Sequence, residues 1–378
     1  ARDGLGPLYS ANTCVHCHPN NGAGLATKNG VISRSLVMRL SLSNSQNINN
    51  GLTMKNGFLP EPTYGGQLSL HGTSNTPYEG RISVSYENIS GFYDDNASYE
   101  LQQPTYKITN LQYGEFDKNV NIAPHIGLAL VGLGAIEMIE EHDILAQEDI
   151  NDSDGDGISG KANWVYNTES NATELGRFTW KAASATVKQQ AANAAHNDMS
   201  LSNPLYPGDN CTESQKECLE SQQGIHEFDL PMNRLDAIAF YLKTLRIPKQ
   251  RKSENFDKGE VLFNTLGCVK CHSSEYKLRD GNTIRPYSDF LLHDMGDELS
   301  DGHTMFKANE NEFRTPPLWG IGLYTKVSGT TALLHDGRAR TIEEAILWHG
   351  GEALKQQMAF KALSKENRDY IVEFLKGI

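Results

Sequence analysis

Cys14-Val15-His16-Cys17-His18 and Cys268-Val269-Lys270-Cys271-His272 share one pattern, C-x-x-C-H. Two thiols at this spacing can add to the two vinyl groups of one porphyrin, and the adjoining histidine then lies under the iron as its proximal ligand. The two motifs use four of the six cysteines in the chain. A zinc site needs its four ligands gathered at one point, and a thioredoxin-like redox pair has no use for a trailing histidine twice. The reading is two covalently bound haem c groups. Cys14, Cys17 and His18 hold the first, and Cys268, Cys271 and His272 hold the second.

The rest of the chain fits around these two points. At 378 residues it is long enough for two domains. Hydrophobic residues make up 38%, fewer than usual, and a buried porphyrin supplies apolar surface that side chains then need not. No apolar run is long enough to span a membrane. The formal net charge of −13 argues against nucleic acid or an anionic membrane surface as partner. A redox protein, such as a small cytochrome or a cupredoxin, suits it better. Haem is attached to C-x-x-C-H outside the bacterial cytoplasm or in organelles, so the chain is expected to be periplasmic or otherwise exported. Ala1-Arg2-Asp3-Gly4 is not a signal peptide, so an export signal or a longer N-terminal piece is expected ahead of it. In an oxidising compartment the remaining pair, Cys211 and Cys218, is expected to form a disulfide closing a short loop.

Polar Pro-containing sequence at 247–252 predicts a boundary between an N-terminal haem domain, 1–247, and a C-terminal cytochrome c domain, 248–378. Residues 1–70 read as loops around the first haem, and 80–115, with alternating apolar and polar residues, as short strands or a hairpin. Helical signals mark 122–147, 182–200, 231–245, 256–267, 341–349 and 364–376; the last puts Ile371, Phe374 and Leu375 on one face. The fold class expected is mainly α: two cytochrome c-like haem domains with long loops and a few short strands in the first. Asp152, Asp154 and Asp156 alternate before Gly157, with Asn163 at the twelfth position. This D-x-D-x-D-G pattern predicts one calcium ion on those four residues within 152–163.

Several stretches resemble the di-haem c-type oxidoreductase family of peroxidase-like proteins, once labelled thiol oxidoreductases. They are Asp3-Gly4-Leu5-Gly6-Pro7-Leu8, the 152–163 loop, Gly176-Arg177-Phe178-Thr179-Trp180-Lys181-Ala182, Leu291-Leu292-His293-Asp294-Met295-Gly296, Phe313-Arg314-Thr315-Pro316-Pro317-Leu318-Trp319-Gly320, Leu333-Leu334-His335-Asp336-Gly337-Arg338-Ala339 and Trp348-His349-Gly350-Gly351-Glu352-Ala353. They span the chain in order. The family is more distantly similar to bacterial di-haem cytochrome c peroxidases, in which one haem is the peroxide site and the other relays electrons. The label of thiol chemistry finds no support, since outside the haem motifs only Cys211 and Cys218 carry sulfur of that kind.

The resemblance implies particular ligands. The distal position of the second haem falls on His349, with Met295, Met305 and His293 as rivals. Bis-histidine ligation would make this haem low-potential, because a thioether ligand raises the potential. His335 is expected beside a propionate or a proximal imidazole, and Arg338 beside a propionate. Arg314 and Trp319 read as structural or as lying between the haems. The first haem has no strong distal candidate: His71, His125 or an open position remain. Glu137 falls where the peroxidases carry a catalytic acid. The function expected is peroxide reduction at the first haem with electrons relayed by the second. A di-haem electron carrier without a substrate site, and an oxidase or oxygenase acting on an organic substrate, are the alternatives.

Overall fold

A computed structural model describes residues 5–28, 30–43, 51–73, 75–221, 224 and 226–378. Asp3 and Gly4 of the family-like stretch ahead of the first motif lie outside them. The mainly α expectation does not hold: the fold is 29% helical and 21% strand, the strands forming several two-stranded sheets. Two antiparallel pairs account for most of the difference. Arg81–Phe92 pairs with Ser98–Thr109 along its whole length, Arg81 opposite Thr109 and Phe92 opposite Ser98. This is the hairpin expected at 80–115, but far longer than short strands. Leu36–Leu42 pairs with Val120–Ile126, which replaces both a stretch read as loop and the start of a stretch read as helix. Ile122, Ala123 and Ile126 serve the strand as well as they would a helix, and a short apolar run does not separate the two by periodicity. Helix survives in that region only as Leu133–Glu137 and Glu141–Leu145.

The later helices stand where the periodicity puts them: Val187–Met199, Met232–Thr244, Phe256–Thr265, Ile342–Leu347 and Lys365–Gly377. Thr186, Thr341 and Ser364 cap three of them, each side chain accepting a backbone N–H of the first turn. Phe256–Thr265 packs against Lys365–Gly377 at Gly259, where a Cβ would overlap the carbonyl oxygen of Tyr370; only glycine lets the two backbones come so close. Ile371, Phe374 and Leu375 are buried there with Phe256, Phe263 and Trp348. The hairpin joins this core through Tyr93 and Leu101. Arg368 latches it, 2.9 Å from Asp95 and with its guanidinium 3.7 Å from the Tyr93 ring centre. A second cluster holds Ile136, Phe178, Phe290 and Trp319, and a third Leu36, Met38, Leu40 and Ile126. Trp319 is thus a core residue. Cys211 and Cys218 form the expected disulfide.

Candidate functional site

The second C-x-x-C-H begins after Gly267, turns through Cys268–Lys270, and closes with the His272 N–H donating to Cys268 O at 3.0 Å. His272 Nδ1 donates to Tyr287 O at 2.9 Å, and His349 Nδ1 donates to Ala345 O at 2.7 Å. Each bond fixes the tautomer and leaves Nε2 as the free ring nitrogen. The two ring centroids are 6.5 Å apart, with the planes tilted by 44°. A metal binds imidazole nitrogen at about 2 Å, so two rings flanking one ion stand roughly 6 Å apart between centres. Burial pushes His272 down to about 4 and lowers His349, so both are neutral and able to ligate. Burial likewise pushes the Cys268 thiol up to about 12.

The cavity around this pair has an apolar wall that includes Phe263, Leu318, Ile346, Phe360, Ile371 and Leu375. Met295, a rival ligand, also lines it. So does Arg314, whose hydrogen bonds run to the carbonyls of Thr179 and Thr315, with no ion pair among the described residues. Burial lowers its pKa to about 10. An apolar slot, two opposed imidazoles and one buried guanidinium without a carboxylate fit a haem with its propionates.

His293 takes another role. Its Nε2 is 2.7 Å from Asp289 Oδ2 and its Nδ1 2.7 Å from Glu352 Oε2, with Cys271 Sγ 3.7 Å away. With a carboxylate on each nitrogen the ring is an imidazolium. Burial pushes its pKa down, but Asp289, Cys271 and Glu352 together hold it well above the usual value. Glu352 lies in the family-like 348–353 stretch, whereas Asp289 carries no local pattern that marks it in the sequence.

The cavity continues to Ala23, Ile126, Gly127 and Leu128, beside the first motif. There Cys14–Cys17 makes a single helical turn, and the His18 N–H donates to Cys14 O at 2.9 Å. Burial lowers the pKa of His18, against the nearby charge of Asp198, and pushes the Cys17 thiol up to about 12. Gly127 is pressed against this histidine: a Cβ there would lie 2.9 Å from His18 Cε1. His71 is exposed and stacked on Tyr9. His125 has its Nε2 2.8 Å from Asp301 Oδ2. Among the described residues His18 has no facing imidazole of the kind His272 has in His349.

Glu137 is not brought to the cavity. Its carboxylate is 2.5 Å from Lys243 Nζ and accepts the Val187 N–H at 3.1 Å, capping the Val187–Met199 helix. Arg338 is also committed, to Asp336 at 2.9 Å and Glu298 O at 2.7 Å, with its guanidinium over the Trp348 ring. His335 lines the cavity and stacks on Phe313.

In the acidic loop Asp149, Asp152 and Asp154 come together. Asp156 instead pairs with Lys270, inside the second haem motif. Asn163 is buried, donating to Lys181 O and Met305 O and accepting the Lys307 N–H, so neither joins the other two. Asp149 stands ahead of the D-x-D-x-D-G pattern, where counting from Asp152 does not look. The loop also reaches the second site through Ser159, whose N–H and hydroxyl donate to Glu352 at 3.1 and 2.5 Å.

No helix among the described residues is long and apolar enough to cross a membrane. No curated protein and no solved structure matches the chain significantly. One family model matches residues 1–378, the entire chain, under the description "di-haem oxidoreductase, putative peroxidase". Two C-x-x-C-H motifs, an opposed histidine pair and a match over its whole length agree: the chain belongs to the di-haem oxidoreductase family, whose members carry haem cofactors.

Proposed function

We propose that the protein is an exported di-haem c-type oxidoreductase that reduces peroxide at the site built on His18, with electrons passing through the site built on His272 and His349. The observation that carries this is the asymmetry of the two sites: one motif histidine has a second imidazole beside it in an apolar cavity, and the other has none among the described residues. When bound, the haems supply the electron storage and transfer that no side chain here can provide. The chain's own residues do the rest. Cys14, Cys17, Cys268 and Cys271 tether the cofactors as thioethers. Tyr287 O and Ala345 O orient the two ligand rings of the second site, and Arg314 neutralises a propionate. A two-histidine set keeps that site low in potential and shut to substrate. Electrons come from a small redox protein, a cytochrome or a cupredoxin. Asp149, Asp152 and Asp154 hold a calcium ion beside the second motif.

Carbon monoxide added to the fully reduced protein tests the assignment. One haem binding the gas while the other keeps a bis-histidine low-spin spectrum is expected, together with peroxide consumption in the presence of a reduced donor. Two haems that both ignore carbon monoxide would make the protein an electron carrier. A far-red thioether charge-transfer band from the second haem would replace His349 by Met295. Elemental analysis after desalting reads the calcium, which Asp154→Ala should remove.

A further inference from the structure

A buried polar seam leads away from the cavity wall at His335. The His335 ring stacks on Phe313 at 4.5 Å, and the His125 ring stands 6.1 Å from it between centres. His125 Nε2 is bound to Asp301 Oδ2 at 2.8 Å. Asp301 Oδ1 accepts the His303 N–H at 2.9 Å and lies 3.1 Å from Lys181 Nζ. The His303 ring is 6.3 Å from that of His125, and its Nδ1 is 2.8 Å from Ser41 Oγ. Ser41 pairs in register with Asn121, and Asn121 accepts a hydrogen bond from Ser43 at the exposed edge. Side-chain contacts therefore run from the cavity through His335, His125 and His303 to Ser41, and the strand register sets Ser41 opposite Asn121 at the edge.

Its chemistry is that of a conductor rather than a brace. The Lys181 and Asp301 charges cancel, and Lys181 is further held by the carbonyls of Asn309 and Glu312 at 3.0 Å each. The three imidazoles are then left neutral. Burial pushes His335 to about 4 and His303 to about 3, and lowers His125. The other charged groups facing the seam are Asp336 and Arg338 at His335, and Arg39 at His125 and His303. A neutral imidazole has one donor and one acceptor nitrogen, so it can take a proton on one side and release one on the other. Ring spacings of this size are bridged by one water or one ring swing. A purely structural network would leave no polar atom spare, yet His303 Nε2 is shielded from solvent without a partner among the described residues.

We infer that His335, His125 and His303 form a proton path between solvent at the Ser43–Asn121 edge and the cavity. The inference rests on the proposed peroxidase function, which consumes two protons per turnover: hydrogen peroxide, two electrons from the reduced donor protein and two protons become two water molecules. The test uses the haem-loaded protein and a pH-indicator dye after flash reduction, without peroxide, so that the path and the peroxidase reading are scored apart. Peroxide consumption by the wild type, measured separately, decides the latter. Wild type is expected to take up protons on reduction. His125→Asn should slow that uptake by roughly tenfold or more, add a solvent isotope effect, and be rescued by added imidazole. Ser41→Ala, which disturbs packing least, should slow it too. Absence of proton uptake in the wild type, or unchanged uptake rates in both variants, overturns the path.

Discussion

Replacing His293 by glutamine is the perturbation whose cost the structure specifies best. The imidazolium is clamped between Asp289 and Glu352, both bonds 2.7 Å, and its side chain is 4% exposed against 2% and 14% for the two carboxylates. Glutamine can donate to one carboxylate only. Glu352 would keep the Ser159 N–H and hydroxyl, whereas Asp289 Oδ2 would have at most a neutral amide donor and be left buried without its countercharge. Removing one partner of a buried pair costs about 3–5 kcal/mol, and that is the loss expected at pH 6. The pH dependence has a definite sign. The folded pKa of His293 is raised above an unfolded value of about 6.5. The stabilisation is therefore fully present below about 6.5 and drains away as pH rises through the raised folded value. Urea unfolding of the haem-loaded protein at pH 6, 8 and 10, followed at the Soret band, measures this. The gap between wild type and His293→Gln should narrow from pH 6 to pH 10. Glu352→Gln should cost less than His293→Gln, because Ser159 still satisfies its side chain. A loss under about 1 kcal/mol at pH 6, or a gap that widens with pH, would refute the charged clamp.

Two further changes separate the haem sites from the scaffold. Gly127→Ala sets a methyl group 2.9 Å from His18 Cε1 and 3.1 Å from Cys17 O, so the His18 haem should change its low-temperature EPR signal while the His272/His349 signal stays as it was; an unaltered pair of signals would show that the backbone yields there instead. Cys211→Ser with Cys218→Ser opens a loop of sequence separation 7, which chain entropy values at about 2.5 kcal/mol; thermal unfolding should register this with no change in the haem spectrum, and an unchanged midpoint would mean that the loop is already ordered in the unfolded chain.

What was legible in the chain depends on how far apart the partners stand. The two C-x-x-C-H motifs are contiguous, so five residues each are enough to point to a haem site. The opposed pair of His272 and His349 is not contiguous, and only family likeness pointed to the second ring. The clamp around His293 draws on two separate segments, 289–293 and the one that carries Glu352, and the Lys181–Asp301 pair on two more, with no periodicity to mark any of them. The strand content was missed for a related reason. The partner of Leu36–Leu42 is Val120–Ile126, far along the chain, and a strand is recognised by its partner more than by its own apolar residues. Glu137 and His125 carry the same lesson into the chemistry. Family likeness points to Glu137 and residue type to His125, and each is defined by what holds it: Lys243 and the Val187 N–H for one, Asp301 for the other. Glu137 stands in an ion pair at the start of a helix, and His125 has its Nε2 on Asp301, which leaves Nδ1 as its free ring nitrogen. The partner, not the residue type, decides which chemistry is open to it, and partners are what folding supplies.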